Sequence, residues 1–421
     1  MINNIINYLK DKKILVLGFG REGKSSYNFI RKYLPDKEIY IGDQNPIELN
    51  DDKVTLVTGD TYLDNLDDYD LIIKTPGISF KDVKISRDKI TSQLELFLNF
   101  VPNKIIGITG TKGKSTTSSM IYKVLKEQNK DVLLLGNIGV PLLDMIDDIK
   151  EDTILVIEMS SHQLEFVDKS PYISILTNLY QEHLDHYNSY DEYINAKLNM
   201  CKYQTKDNYF IYNKDDQEIL KRINNINSNM IGVSKNDNIP NVENDKIMGD
   251  SSKYNILFTL EVAKLFNLDL NKAVSSLNTF IPLPHRIEYV GMYNSIKFYD
   301  DAIATIPEAC INSIKALKNV DTLIFGGLDR GVNLTSLEEY LNQGVVKNLI
   351  CMPETGYIIA DTLTNKDINI FKVETMEEAV DIAFKNTKNI CLLAPAAASY
   401  NRYKNFEEKG NHYQELIKNH K

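Results

Sequence analysis

The sequence predicts an α/β protein of three domains, each with a largely parallel sheet. Apolar runs suited to buried parallel strands alternate with helical patterns along the 421 residues. Glycine-rich turns mark phosphate-binding positions in the first two segments, and no such turn follows the first strand of the third. We therefore place the domains at residues 1–91, 92–282 and 283–421.

The first segment begins with a strand and a glycine turn. Lys13–Leu17 is the strand, Gly18, Gly20 and Gly23 form the turn, and Asp43 ends a second strand roughly 20 residues later. This fingerprint binds the diphosphate and ribose of a dinucleotide such as NAD, and it suits UDP equally well. A further strand ends in Thr75-Pro76-Gly77, a turn that could close over the ligand.

The central segment carries the strongest motif. The strand Ile105–Thr109 leads into a glycine loop and then a helix that begins at Lys114. The loop and first turn consist of Gly110, Thr111, Lys112, Gly113, Lys114, Ser115 and Thr116. Glycines let backbone N–H groups approach phosphate oxygens, lysine adds a cation, and Ser115 or Thr116 can offer a hydroxyl to Mg²⁺. The strict P-loop pattern requires glycine where Ile108 stands, so the match is to a variant form.

Polar residues follow three further strands of the central segment. Asn137, Glu158 and Asn178 each lie just after an apolar run. Because the carboxyl ends of parallel strands share one edge of the sheet, we expect them beside the glycine loop. Glu158 could hold Mg²⁺, cap a helix or be a solvated glutamate. His183, in a polar segment after Asn178, could ligate a metal or lie on the surface. By spacing alone, Lys197 is a solvated helix lysine.

The third segment offers two charged candidates. Asp301 follows the strand Ile296–Tyr299 and could steer a ribose or cation, or cap the next helix. Arg286, in Pro284-His285-Arg286, is suited to phosphate or to an interdomain salt bridge.

Composition limits the partners and the compartment. The net charge of −10 argues against a nucleic-acid surface. The four cysteines have no CxxC spacing, which predicts reduced thiols in a cytoplasmic protein. No apolar run is long enough for membrane insertion, and the start, MINNIINYLKDKK, lacks the features of a signal peptide. We expect a monomer.

Together these motifs resemble the Mur ligases of peptidoglycan synthesis across nearly the whole chain. The resemblance rests on seven segments in family order: 110–116, 136–139, 158–164, 178–183, Ala196-Lys197, Leu283–Arg286, and 393–399 with 404–410. It implies a Rossmann-like UDP-binding domain, a central P-loop ATPase-like parallel sheet and a C-terminal Rossmann-like domain. It also implies a ligase that uses ATP and Mg²⁺ to add D-glutamate to UDP-N-acetylmuramoyl-L-alanine through an acyl phosphate.

The resemblance also implies roles for individual residues. Lys114, Glu158, His183 and Lys197 would be catalytic, and Mg²⁺ would be held by Ser115, Glu158, His183 and a carbamylated Lys197. The loop residues with Asn137, Asn255, Arg286 and Asp301 would contact the nucleotide. The substrates would be bound by Gly18, Gly20, Arg21, Asp43, Thr75, Gly77, Asn137, His183, Ser399, Tyr400 and Phe406.

One departure leaves the amino acid open. Ile303 stands where the family commonly has a lysine that pairs with a glutamate carboxylate, and Arg330 and Lys404 are candidate substitutes. A related ligase that adds L-glutamate or another amino acid is therefore an alternative. An NAD-dependent oxidoreductase and a non-catalytic nucleotide-binding protein are more distant alternatives.

Overall fold

The protein folds into two compact units. A computed structural model describes residues 1–420 except positions 82, 138, 139, 184, 185, 245, 248 and 401. The first unit comprises Met1–Leu179, His183–Pro240 and Tyr254–Leu277, and the second comprises Tyr180–Glu182, Asn241–Lys253 and Asn278–Lys421.

The first sheet is parallel and has the strand order β3-β2-β1-β4-β5. Its strands are β1 (Ile14–Leu17), β2 (Ile39–Asp43), β3 (Val54–Thr58), β4 (Leu71–Lys74) and β5 (Ile90–Thr91). The helices of this region are α1 (Ile2–Leu9), α2 (Arg21–Tyr33) and α3 (Gln93–Phe100). The strand order reverses between β1 and β4, and such a switch point leaves a crevice at the carboxyl ends of the strands.

The second sheet is also parallel, with the order β11-β10-β9-β6-β8-β7. Its strands are β6 (Ile105–Thr109), β7 (Val132–Gly136), β8 (Ile154–Glu158), β9 (Ile173–Leu176), β10 (Tyr209–Asn213) and β11 (Asn229–Val233). The helices that follow α3 are α4 (Lys114–Glu127), α5 (Ser161–Leu164), α6 (Tyr190–Lys202), α7 (Gln217–Leu220), α8 (Asp250–Leu265) and α9 (Leu270–Asn278). β6 lies between β8 and β9, so the ends of these three strands are neighbours.

The third sheet belongs to the second unit and has the order β12-β13-β17-β14-β15-β16. Its strands are β12 (Glu288–Tyr293), β13 (Ile296–Asp300), β14 (Val320–Phe325), β15 (Asn348–Cys351), β16 (Asn369–Lys372) and β17 (Ile390–Leu393). Only the β12–β13 pairing is antiparallel among the described strands of this sheet. The helices are α10 (Pro307–Leu317), α11 (Thr335–Asn342), α12 (Thr355–Thr362), α13 (Met376–Asn386) and α14 (Phe406–Asn419).

The central strands are buried along their whole length because helices cover both sheet faces. Every residue of β1, β6, β8 and β9 is buried. One apolar core cluster contains residues of the first sheet, such as Val16, residues of the second, such as Leu155, and Phe97 of α3. The first two sheets are therefore packed into one unit.

The predicted α/β class is confirmed, and each sheet falls within one of the three predicted segments. The domain boundaries themselves stay predictions. Sequence reasoning missed β3, β5, β10, β11 and β12, which lie at or next to the edges of their sheets. Residues of β3 and β12 are largely half-buried or exposed, so these strands lack the continuous apolar run of a central strand.

Candidate functional site

The turn after β1 is built so that only glycine fits at two positions. A Cβ on Gly18, whose φ is +90°, would lie 2.1 Å from Thr75 Oγ1, and a Cβ on Gly23 would lie 1.9 Å from Gly18 O. Thr75 Oγ1 donates to Leu17 O at 3.0 Å, which fixes the turn after β4 against the turn after β1. Gly18 and Thr75, which are both predicted to bind the substrate, are thus in contact.

Asp43 and two further glycines complete this edge of the first sheet. The carboxylate of Asp43 accepts hydrogen bonds from the N–H groups of Phe19 at 2.7 Å and Asn45 at 2.8 Å. A Cβ on Gly20 or Gly77 would meet no described atom within 4 Å, so internal packing does not require glycine at either position. Such open positions permit close approach of a ligand to the backbone. Arg21 is exposed at the first residue of α2.

The glycine loop after β6 is fastened to the end of β9 by backbone groups. Lys112 N–H donates to Asn178 Oδ1 at 2.8 Å, Asn178 Nδ2 donates to Lys112 O at 2.9 Å, and Thr111 N–H donates to Asn178 O at 3.0 Å. Gly110 has φ +144°, and a Cβ there would lie 1.9 Å from Thr177 Oγ1. Gly113, with φ +88°, is the N-cap of α4. The loop therefore leads directly into a helix N-terminus, which favours anions.

Two lysines converge on one carbonyl of this loop. Lys114 Nζ donates to Gly110 O and Thr111 O, both at 2.9 Å, and Lys197 Nζ donates to Gly110 O at 2.9 Å. Lys197 is only 2% exposed, and its ammonium lies 4.7 Å from the ring centroid of Tyr193. The interpretation of Lys197 as a solvated lysine is wrong, because this face of α6 packs against β6.

Glu158 is buried at the end of β8 and retains one acceptor oxygen. Its side chain is 1% exposed, and Oε1 accepts from Asn137 Nδ2 at 2.9 Å. Oε2 is buried and has no hydrogen-bond partner among the described residues. A buried carboxylate oxygen that lacks a donor is costly, and a bound cation would remove that cost. This observation fits the predicted metal role of Glu158. It does not fit the alternative that Glu158 is a solvated glutamate.

The remaining predicted nucleotide contacts of the first unit lie in or beside the first turn of α4. Ser115 and Thr116 are partly exposed in the first turn of α4. Asn255 of α8 is buried, and its Oδ1 accepts from Thr117 Oγ1 at 3.0 Å. Because a Cβ on Gly113 would lie 3.1 Å from that same oxygen, Asn255 lies beside the start of α4.

A cluster of imidazole rings surrounds His183. The ring centroid of His162 lies 4.7 Å from that of His183 and 4.1 Å from that of His186, and Tyr193 lies 6.0 Å from His183. Burial, followed by the nearby charges of His183 and His186, lowers the pKa of His162 to about 2. His162 is therefore neutral at pH 7. Sequence reasoning gave His162 and His186 no role, although His162 lies inside the segment 158–164 and His186 lies three residues after the segment 178–183.

The second unit places Arg286 and Asp301 near each other. Asp301 accepts hydrogen bonds from Ile287 N–H at 3.1 Å and from Ser313 Oγ. Burial raises the pKa of Asp301 to about 6, against the opposing effects of Ser313 and Arg286. The alternative that Asp301 caps α10 is wrong, since Ile306 is the N-cap and makes no side-chain cap bond.

The predicted amino-acid pocket residues differ in exposure. Ser399 is buried, and its Oγ has no hydrogen-bond partner among the described residues. Tyr400 is 62% exposed, and Phe406 begins α14 with its ring centroid 6.3 Å from that of His285. Ile303 N–H donates to His285 O at 3.4 Å, so the residue that replaces the expected lysine lies beside the His285 segment.

Comparisons with known proteins agree with this geometry. The family model of the Mur ligase middle domain matches residues 108–275. The chain is 32% identical over 451 residues to the UDP-N-acetylmuramoylalanine–D-glutamate ligase of Clostridium botulinum (strain Loch Maree / Type A3), covering 98% of this chain and 97% of the relative. The ligase of the same name from Acetivibrio thermocellus is 30% identical, with 99% and 98% covered.

Solved structures share the fold. The MurF ligase of Thermotoga maritima, determined in complex with ADP, superposes with a TM-score of 0.62 at 16% identity, covering 97% of this chain and 96% of that chain. The MurC ligase of the same organism gives a TM-score of 0.59 at 18% identity, with 97% and 100% covered. In the part of the chain that is described, every helix is too short or too polar to cross a membrane. The predicted resemblance is confirmed over nearly the full length, and the chain belongs to the Mur ligase family.

Proposed function

We propose that the protein is an ATP-dependent ligase that joins D-glutamate to UDP-N-acetylmuramoyl-L-alanine and releases ADP and phosphate. The observation that carries this proposal is the end-to-end similarity to relatives named for that reaction. The reaction belongs to the synthesis of the peptidoglycan precursor. We also propose that the protein is a cytoplasmic monomer.

The nucleotide phosphates would bind at the glycine loop. The N–H groups at the start of α4 and the ammonium of Lys114 provide positive potential at one point. Lys114 now donates to two carbonyl oxygens of the loop, and it would exchange these acceptors for phosphate oxygens. Asn137, Asn255, Arg286 and Asp301 are the further proposed nucleotide contacts, together with the loop residues Gly110, Thr111, Lys112, Gly113, Ser115 and Thr116.

The Mg²⁺ ligands would be Ser115, Glu158, His183 and Lys197. The buried Oε2 of Glu158, which has no hydrogen-bond partner in the described part of the chain, supports Glu158 as a member of this set. When bound, Mg²⁺ neutralises negative charge on a phosphoryl group during its transfer. Lys197 as an ammonium would repel a cation. We propose that its neutral amine adds CO₂ and loses one proton, which gives an anionic carbamate.

The reaction has two steps. The alanyl carboxylate of the UDP-linked substrate attacks the γ-phosphorus of ATP, and ADP leaves to give an acyl phosphate. The neutral amine of glutamate then attacks the acyl carbon, and phosphate leaves as the amide forms and the amine loses its proton. Phosphorylation is needed because a carboxylate is a poor acylating agent. Lys114 would balance the charge that moves toward the leaving ADP.

The substrate sites would lie at the other strand ends. Gly18, Gly20, Arg21, Asp43, Thr75 and Gly77 would bind the UDP portion, and Asn137 and His183 would contact the substrate. Gly20 and Gly77 support this role, since a Cβ at either glycine would meet no described atom within 4 Å. Ser399, Tyr400 and Phe406 would contact the amino acid. The buried Oγ of Ser399, which has no described hydrogen-bond partner, is suited to a substrate carboxylate.

L-Glutamate is the second candidate for the amino acid. We keep this alternative because Ile303 stands where the family commonly has a lysine, and an apolar side chain cannot pair with a glutamate carboxylate. The test is phosphate release from ATP with UDP-N-acetylmuramoyl-L-alanine and either D- or L-glutamate. We expect release only when ATP, the UDP substrate and D-glutamate are all present. Phosphate release with L-glutamate but not with D-glutamate would show that L-glutamate is the amino acid substrate. Tight NAD binding without ATP turnover would overturn the ligase assignment.

A further inference from the structure

A partly buried ion cluster connects the end of β4 with the segment that carries His183. Glu165 Oε2 lies 3.1 Å from Lys74 Nζ and 3.3 Å from His186 Nε2. Lys74 is the last residue of β4 and immediately precedes the proposed UDP-binding turn at Thr75. The backbone N–H of His186 donates to His183 O at 3.1 Å, so the two histidines are in direct contact through their backbones. One carboxylate therefore contacts both structural regions.

The cluster is enclosed by apolar side chains. The side chain of Lys74 is 2% exposed, and its ammonium lies 5.4 Å from the ring centroid of Phe80 and 5.3 Å from that of Phe166. Burial lowers the pKa of Lys74, and Glu165 opposes this effect. Burial also disfavours ionised Glu165, but the hydrogen bond to His186 and the charge of Lys74 bring its pKa below the ordinary value. Removing one member would leave the others buried without their partner.

Neighbouring hydrogen bonds join the same elements. Ser79 Oγ donates to His186 O at 3.0 Å. Gln163 Oε1 accepts from Ser160 N–H at 2.9 Å in the capping box of α5, and its Nε2 donates to Glu22 Oε1 in the first turn of α2 at 2.6 Å. The short helix between Glu158 and Glu165 is thereby fixed to the elements of the first sheet. None of these contacts involves a residue to which the proposed mechanism assigns a chemical step.

We propose that Lys74 and Glu165 are positioning residues that hold His186 and so set the place of His183. The UDP-binding turn and the proposed metal ligand are then coupled through a single carboxylate. This inference rests on the proposed function, because it assigns His183 to the metal site. Loss of Glu165 would leave the chemistry of each ligand intact but would release His186, whose backbone N–H bonds to His183 O.

The test compares Glu165→Gln with a matched control, Asp51→Asn. Asp51 pairs with Arg31 at 2.8 Å and is also partly buried in the first unit, but it has no contact with the His183 segment among the described residues. Two readouts are taken for each variant: the affinity for Mn²⁺ in the presence of ADP, from electron paramagnetic resonance, and the Mg²⁺ concentration for half-maximal ligation. Because the chain has no tryptophan, folding is followed by circular dichroism.

We expect E165Q to weaken Mn²⁺ binding and raise the Mg²⁺ requirement by about 10-fold or more, with D51N unchanged in both. The conservative variant Glu165→Asp should recover part of the loss. If E165Q does not fold, the double variant Lys74→Met with Glu165→Leu fills the same site with apolar side chains, and it should fold and show the same metal defect. Unchanged metal affinity in a folded variant would overturn the inference. An inactive wild-type protein that still binds Mn²⁺ with ADP would instead count against the proposed function.

Discussion

Two buried lysines occupy similar places in the two units, but their surroundings differ. Lys197 donates to Gly110 O just after β6 at 2.9 Å, and Lys409 donates to Gly326 O just after β14 at 2.8 Å. Each is 2% exposed. Lys197 lies against the Tyr193 ring and shares its carbonyl with Lys114. Among the described residues, Gly326 O is the one acceptor that the Lys409 ammonium reaches.

Burial alone therefore does not identify a reactive lysine. Burial lowers the pKa of Lys409 to about 7, and no charge in the described part of the chain opposes this effect. Such a group mainly makes folding depend on pH. Lys197 instead lies beside a phosphate-type loop, within a unit that also holds a buried carboxylate oxygen with no described donor. The proposed roles of the two lysines therefore follow from their neighbours.

The largest expected effect comes from removing Lys197. We expect Lys197→Ala to lower kcat by about 10³-fold, since a charged group of the proposed metal site is lost. Bicarbonate or a short carboxylic acid should restore part of the activity by replacing the carbamate oxygen atoms. Phosphate release with all three substrates measures both effects. Full activity of the variant without bicarbonate or carboxylic acid would contradict the proposed role. Lys197 would then have a structural role only.

Glu158→Gln should have the next largest effect. An amide retains the shape of the side chain and can still accept from Asn137, but it removes the negative charge that a cation would require. We expect kcat to fall about 10²-fold and Mn²⁺ binding in the presence of ADP to weaken. Direct metal titration separates this outcome from simple loss of folding. Wild-type metal affinity in E158Q would exclude Glu158 from the metal site.

Lys409→Met should change the pH dependence of stability. Between pH 7 and the ordinary lysine pKa near 10.5, the unfolded chain binds the proton and the folded chain does not, so stability rises with pH. The contribution of one group is at most about 1.4 kcal/mol per pH unit. Urea unfolding of the wild type and of K409M at pH 7 and pH 9 should show a smaller pH increment in the variant. Equal increments would mean that Lys409 is charged in the folded protein.

Ile303→Lys should have the smallest effect. If the introduced ammonium reaches the glutamate carboxylate, KM for D-glutamate should fall by at most about tenfold, with kcat little changed. Ile303→Met is the matched control, because it has similar length without charge. A raised KM in I303K alone would indicate that the position is not near the amino-acid carboxylates.

Sequence reasoning located the strand ends because their signals are local. The apolar run at Ile105–Thr109 and the glycines that follow it predict a strand, a loop and a helix within about a dozen residues. The burial of Lys197 could not be predicted, since helical spacing gives no information on which sheet covers a given face. The contact between Lys74 and Glu165 joins positions 91 residues apart and depends on the packing of two sheets. The alternative that Asp301 caps α10 rested on local sequence alone. In the structure Asp301 instead accepts hydrogen bonds from Ile287 and Ser313.

The hydrogen bonds that hold the main chain of the glycine loop have a consequence for resistance to inhibitors. The loop is held by the main-chain groups of Thr111 and Lys112 and by the side chain of Asn178. A substitution of the Lys112 side chain would leave these bonds in place, whereas a change at Asn178 removes two of them at once. An inhibitor that recognises the main chain of this loop would thus leave few escape routes by point substitution. Deep mutational scanning should find position 178 far less tolerant of substitution than position 112.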